Sequence, residues 1–209
     1  MTQDHIFIDL ETSGPEPAEN CIIEIAAIRT DPQGKILATY TDKIMPSVKV
    51  SDEARKVNGY APDKWADAVS LSMALHGLNK TLLDGRSDKY VVVAHFAEFD
   101  KHFLTSDCVR NSLPLPFPKR AWIDTGQIIW PLAFVGAIKS RSLESICAHL
   151  GIVNESPHTA PGDCLALCKM YWAIMRRYSV ALAASEAAHN KWGGVTEIVE
   201  KWLTGVNVG

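Results

Sequence analysis

The chain has 209 residues, 47% hydrophobic and 22% charged, the make-up of an ordinary globular protein long enough to bury a core as one domain plus an appendage. A formal net charge of −3 argues against nucleic-acid binding through broad basic coverage and leaves room for a local site. Cys21, Cys108, Cys147, Cys164 and Cys168 are odd in number and contain no Cys-x-x-Cys pair, which excludes a disulfide framework and points to free thiols in a reducing, cytoplasmic compartment. The first residues lack a basic region followed by an apolar run, so no signal peptide is expected, and no apolar segment is long enough for a membrane span.

The chain opens on an apolar, β-branched stretch at 6–12 that closes at Ser13-Gly14-Pro15, the pattern of a strand. Strand side chains alternate, so Ile6, Ile8 and Leu10 share one face and Phe7, Asp9 and Glu11 the other. Further strands are predicted at 21–29 and, after the Gln33-Gly34 turn, at 35–45; the short connections suggest an antiparallel meander. Ser51 is placed to cap a short helix through Val57, which Asn58-Gly59 breaks. A helix is predicted at 66–83, a polar loop at 85–89 and a buried strand at 90–94. The next helix carries Phe99, Phe103 and Leu104, and the proline-rich 113–118 reads as an extended connector. A short strand at 121–124 precedes a helix from Thr125 that Pro131 weakens. Helices follow at 142–150, ending at Gly151, and at about 160–178. The predicted catalytic domain is 1–178, with 179–209 as a helical appendage. There Val195, Ile198, Val199, Trp202 and Leu203 fall on one helix face, which either packs on its own domain or docks a partner.

Three stretches carry acidic groups in marked settings. Asp9 and Glu11 sit side by side at the end of a core strand, where burying unpaired carboxylates is costly. They are either wetted at the strand end or relieved by a hard divalent cation, which prefers oxygen ligands. Asp100, in His95-Phe96-Ala97-Glu98-Phe99-Asp100, lies in the first turns of a helix, where an anion is favoured. Asp163, in His158-Thr159-Ala160-Pro161-Gly162-Asp163, is also near a helix start, since Pro161 suits a first turn. His158 lies in the loop before that helix. Taken singly, these read as helix-start carboxylates and a loop histidine.

Together the three stretches resemble the motifs of the DEDDh exonucleases, the DnaQ-like branch of the ribonuclease-H-like fold. Asp9-x-Glu11 is similar to the first motif, His95-x-Ala97-x-Phe99-Asp100 to the second, and His158-x-Ala160-x-x-Asp163 to the third, in its histidine form. The order matches, and the resemblance spans about 7–175. Ile23-Glu24-Ile25-Ala26-Ala27, Asp124-Thr125 and 143–151 also fall where the family has similar segments. There is one departure: the second motif usually has asparagine after its histidine, and here the residue is Phe96. The change touches a polar contact near the site and leaves the metal ligands in place.

The resemblance implies an α/β fold with a ribonuclease-H-like mixed five-stranded sheet flanked by helices and four acids converging at one end. It implies a metal-dependent 3′–5′ exonuclease that releases nucleoside monophosphates from DNA 3′ ends. A phosphodiester is anionic, so four carboxylates alone would repel it; two Mg²⁺ ions reverse the local sign, activate a water and stabilise the leaving oxygen. Mn²⁺ should substitute. In this reading Asp9 binds both ions, Glu11 and Asp163 complete the pair, and Asp100 binds directly or through water. His158 takes the proton of the attacking water. The backbone around Leu10 and Thr12 holds the terminal 3′ hydroxyl, and Leu10 wedges against its base. Asn58, Tyr60 and Trp65 line the entrance, although core packing explains Tyr60 and Trp65 equally well. Arg176-Arg177 and Lys139/Arg141 either meet phosphates or form a solvated face. Cys164 and Cys168 suit small core positions better than a thiolate metal site. The nearest alternative is an exoribonuclease or a nuclease of short RNA; a catalytically silent binding module is a further one. The expected partner is a single-stranded 3′ end, with no membrane, and proofreading or repair would require a polymerase or repair partner.

Overall fold

The computed structural model describes residues 3–83, 89–117, 120–134, 136 and 138–192. Five strands form one mixed sheet in the order β3-β2-β1-β4-β5. They are β1 (Asp4–Thr12), β2 (Ile22–Thr30), β3 (Ile36–Lys43), β4 (Tyr90–Ala94) and β5 (Trp122–Asp124). The tight connections make β1, β2 and β3 antiparallel neighbours. The path from β3 to β4 runs through α1 (Asp52–Asn58), a 3₁₀ turn (Pro62–Trp65) and α2 (Leu71–Leu82). β4 then lies parallel to β1, and β5, reached through α3 (Glu98–Arg110), lies parallel to β4. Four further helices follow: α4 (Thr125–Ile128), α5 (Trp130–Phe134), α6 (Leu143–Leu150) and α7 (Ala160–Trp192).

Strand alternation organises the core. Ile6, Ile8 and Leu10 of β1 join Ile25 and Ala27 of β2 in one apolar cluster. Onto it pack Ala74, Leu75, Leu78 and Leu82 of α2, which recur at helical spacing, and Phe103 and Leu104 of α3. Local chemistry sets several helix ends. Ser51 accepts from the Ala54 N–H and Ser142 from the Ser145 N–H, while Gly59 and Gly151 close α1 and α6 in the left-handed conformation.

Three boundaries differ from expectation. Helix α2 begins at Leu71, capped by Ser70, and not at Ala66. Residues before it are drawn to the sheet instead: Val69 N–H donates to the Lys43 carbonyl at 2.9 Å, and Met45 N–H to the Val69 carbonyl at 2.8 Å. The helix from Thr125 splits into α4 and α5 because Pro131 has no N–H to continue the ladder. Helix α7 runs to Trp192, past Tyr178, through an alanine-rich stretch of high helix propensity. The amphipathic positions at 195–203, most of the loop at 85–89, and Pro118 lie outside the described residues.

The chain divides into two units, Met1–Met170 and Tyr171–Gly209. The first holds the sheet and all three acidic stretches. In the second, the rings of Tyr171 and Trp172 meet edge-on at 5.3 Å. Among the described residues no helix is long and apolar enough to cross a membrane.

Candidate active site

The face of β1 that carries Asp9 and Glu11 turns toward Asp163 in the first turn of α7. Carboxylate oxygens of Asp9, Glu11 and Asp163 all lie within 4.8 Å of one another. Asp100 stands beside them, buried at 4% exposure in the first turn of α3. The backbone N–H of Leu10 and its own N–H both bond its carboxylate.

Such crowding of acids is electrostatically costly, and it adds to burial in raising the pKa of Asp9, Glu11 and Asp100. Burial first, then Asp100, Asp163, Glu11 and Glu24, hold the Asp9 carboxyl well above the usual carboxylate range. Burial, Asp163 and Glu24 push Glu11 up to about 7, against a favourable hydrogen bond from Asn58. Asp100 is raised by burial, with its backbone hydrogen bonds opposing. Asp163 is raised by burial, opposed by bonds from Asn154 and the His158 N–H. The opposing influences are hydrogen bonds and, for Asp163, the charge of His158. A divalent cation is the partner this donor set fits, since it is oxygen-only and short of compensating positive charge.

The α7 start is built around Asp163. Its Oδ1 accepts from Asn154 Nδ2 at 2.5 Å and its Oδ2 from the His158 N–H at 3.2 Å. Gly162 lies so close to the Ser156 carbonyl that a Cβ there would collide with it. Ala160 N–H donates to Glu24 Oε2 at 2.8 Å, tying the helix start to β2. His158 is exposed, with φ of 60°. It lines a cavity of about 390 Å³ together with Asn154, Pro157, Asp163, Cys147 and Ile152.

A second cavity, about 340 Å³, is lined by Leu10, Glu11, Thr12, Asn58, Val57 and Phe99. Asn58 Nδ2 donates to the Thr12 carbonyl at 3.1 Å, and Asn58 Oδ1 accepts from the Tyr60 N–H at 3.1 Å. Three of the predicted substrate-binding residues, Leu10, Thr12 and Asn58, thus share this cavity. Tyr60 is not in its lining. Its ring tilts against Trp65 at 5.1 Å and lies under Arg55, in a small cluster with Cys21, Ile23 and Val50.

Residues outside the three motif positions complete the scaffold. Glu24 is buried and stands opposite Glu11 in the β1–β2 register. Its sequence signal is a lone carboxylate inside an apolar strand. Asn154 had no signal, because only the folded loop brings it to Asp163. His95 bridges Thr125 Oγ1 at 2.9 Å through Nδ1 and the Arg141 carbonyl at 2.8 Å through Nε2. A carbonyl only accepts, so Nε2 carries the proton. Burial lowers the pKa of His95, and the Thr125 hydroxyl that meets Nδ1 donates to the Ala94 carbonyl at 3.2 Å.

Known proteins resemble this chain in sequence and in fold. The model of the RNase_T family, described as exonuclease, matches residues 6–171. Ribonuclease T of Yersinia pseudotuberculosis is 29% identical over 188 residues, covering 83% of this chain and 85% of that protein. Escherichia coli Exonuclease I in complex with a dT13 oligonucleotide superposes with a TM-score of 0.73 at 17% identity. That match covers 88% of this chain, which spans only 43% of the Exonuclease I chain. The nuclease domain of 3′hExo, a DEDDh family member bound to rAMP, gives 0.68 at 18% identity over 84% of this chain and 92% of that one. The matched span takes in β1 through the first turns of α7, and hence every acid of the cluster; this chain belongs to the RNase_T exonuclease family.

Proposed function

We propose that this chain hydrolyses single-stranded DNA from its 3′ end with two Mg²⁺ ions, releasing nucleoside 5′-monophosphates. The observation that carries the reading is the cluster of Asp9, Glu11 and Asp163 within 4.8 Å, with Asp100 beside it. Asp9 would bind both ions, Glu11 and Asp163 one each, and Asp100 directly or through water; Mn²⁺ should replace Mg²⁺. When bound, the ions neutralise the phosphate, lower the pKa of water and stabilise the leaving oxygen.

The protein's own groups do the rest. Leu10 and Thr12 present backbone to the terminal 3′ hydroxyl, and Asn58 holds the Thr12 carbonyl in place. Val57 and Phe99 offer apolar surface to the last sugar and base. His158 accepts the proton of the attacking water at an imidazole nitrogen. The water oxygen joins phosphorus as the P–O3′ bond breaks, leaving a 3′ hydroxyl on the shortened strand. Tyr60, braced by Trp65, stiffens the entrance through its bond to Asn58.

The apolar lining around Leu10, Val57 and Phe99 supports a deoxyribose over a ribose at the 3′ end. An RNA substrate is the second reading, favoured by the likeness to Ribonuclease T. The five buried thiols fit a reducing, cytoplasmic setting. Residues 1–178 are the catalytic unit in this reading, and 179–209 are an appendage outside it.

The test is hydrolysis of 5′-labelled single-stranded DNA and RNA, side by side, with Mg²⁺ and with excess chelator. Stepwise shortening from the 3′ end, faster on DNA and abolished by chelator, is the expected result. Faster RNA shortening would replace the first reading with the second, and full hydrolysis in chelator would refute the metal-dependent mechanism.

A further inference from the structure

Phe96 stands four residues before Asp100, and its backbone and ring are held in a defined place. Its φ of 59° is a conformation that bulky side chains rarely adopt. The conformation is held by Asp124, whose Oδ1 accepts from the Phe96 N–H at 3.0 Å and from the Gly126 N–H at 2.8 Å. The ring lies directly on Gly126: a Cβ there would come within 2.8 Å of Phe96 Cδ1. It remains 40% exposed, with the Arg141 guanidinium 5.4 Å from its centroid.

Gly126 also begins a row. Ile129 N–H donates to the Thr125 carbonyl and Ala133 N–H to the Ile129 carbonyl, which carries helical register from α4 into α5. Gly126, Trp130 and Phe134, spaced four apart, therefore lie along one side. Trp130 and Phe134 are 48% and 75% exposed, and their rings stack at 5.1 Å with an interplanar angle of 16°. Phe96 over Gly126, then Trp130 and Phe134, thus follow one flank, with about 6 Å of helix rise between the positions of Gly126, Trp130 and Phe134. At the inner end Asp124 contributes to the field on Asp100. Arg141 lies at the first ring, and Lys139 is exposed two residues before it.

We propose that Phe96, Trp130 and Phe134 form a stacking track for the bases upstream of the 3′-terminal nucleotide, with Arg141 and Lys139 meeting the strand's phosphates. The occupant is a single-stranded polynucleotide because the row starts at Phe96, held by the same Asp124 that acts on Asp100, and because its cations complement an anionic strand. Ring faces accept any base, so the track supplies affinity that grows with strand length and carries no sequence preference. The inference rests on the nuclease reading for the direction of the strand.

The experiment measures binding of the full chain to 5′-fluorescein oligothymidylates with phosphorothioate linkages, by anisotropy. Phosphorothioates keep binding separate from cleavage. In the parent, affinity rises from strands of about 3 to about 12 nucleotides; in Trp130→Ala/Phe134→Ala the rise shrinks roughly 5- to 100-fold. Trp130→Phe retains it, and so does Val109→Ala, an exposed apolar control on α3. Phe96→Ala/Arg141→Ala shrinks it as well. An unchanged length dependence in the double alanine variants overturns the track and assigns the rings to a protein contact, whether or not the parent cleaves DNA. A shrunken length dependence in a parent that cleaves nothing supports the track and refutes the nuclease reading alone.

Discussion

Glu11 and Glu24 face one another across the β1–β2 pair, and Glu24 does two opposed things from that position. Its carboxylate accepts from the Ala160 N–H and so anchors the helix start that carries Asp163. Its charge also repels Glu11, which burial, Asp163 and Glu24 together raise to about 7. Glu24→Gln keeps an acceptor for Ala160 and removes the charge. The Glu11 carboxyl should then titrate lower in the metal-free protein, read by carbon-13 chemical shift. An unmoved Glu11 would mean that burial and Asp163 set its pKa without Glu24.

The raised acids make the metal-free protein pH-sensitive in a defined direction. Asp9, Glu11 and Asp163 hold protons more tightly folded than unfolded. The folded state therefore binds more protons, and stability falls as pH rises. For Glu11 the loss begins near the ordinary carboxylate value and is complete above about 7. Thermal melts in chelator should show Tm falling from pH 5 to pH 8, and added Mg²⁺ or Mn²⁺ should restore it at pH 8. A Tm in chelator that rises over this range contradicts the repulsive cluster.

Asp9→Asn follows from the same balance. It should abolish turnover and weaken metal binding, while raising the Tm of the metal-free protein at pH 8 because one repulsive charge is gone. Normal turnover in this variant would remove Asp9 from the metal site.

His158 hydrogen-bonds Asp163 through its backbone N–H, and its ring acts on that carboxylate through charge. Replacing the side chain therefore leaves that bond in place. His158→Ala should cut the rate by roughly 10²–10⁴ and keep most metal affinity. Asp163→Ala should lose both. Near-parental turnover of His158→Ala would make the ring a bystander, and loss of metal would make it a ligand.

Gly162 is fixed by sterics. A Cβ at this position would collide with the Ser156 carbonyl and displace the loop that holds Asn154 against Asp163. Gly162→Ala should destabilise by about 1–3 kcal/mol and reduce metal affinity. Deleting 195–209 tests the opposite expectation, a segment outside the catalytic unit: hydrolysis of a short oligonucleotide should persist. A folded, inactive truncation would place that segment in the site.

What the sequence determined by itself was whatever depends on neighbours a few residues apart. The β4 strand, the Ser51 cap and the Gly151 stop were all legible, because caps and strand runs are local chemistry. The shared face of Asp9 and Glu11 was legible too, since alternation is built into a strand. Motif order then suggested which acids converge. Tertiary structure alone decided the rest. Helix α2 starts late because Val69 pairs with a strand that precedes it by more than twenty residues. Glu24 meets Ala160 across 136 residues, and Asn154 reaches Asp163 only through the turn of its loop. Phe96 comes to lie on Gly126 only after two strands align in parallel. Such contacts leave no periodic trace, because their energy is gained only once distant segments have been brought together.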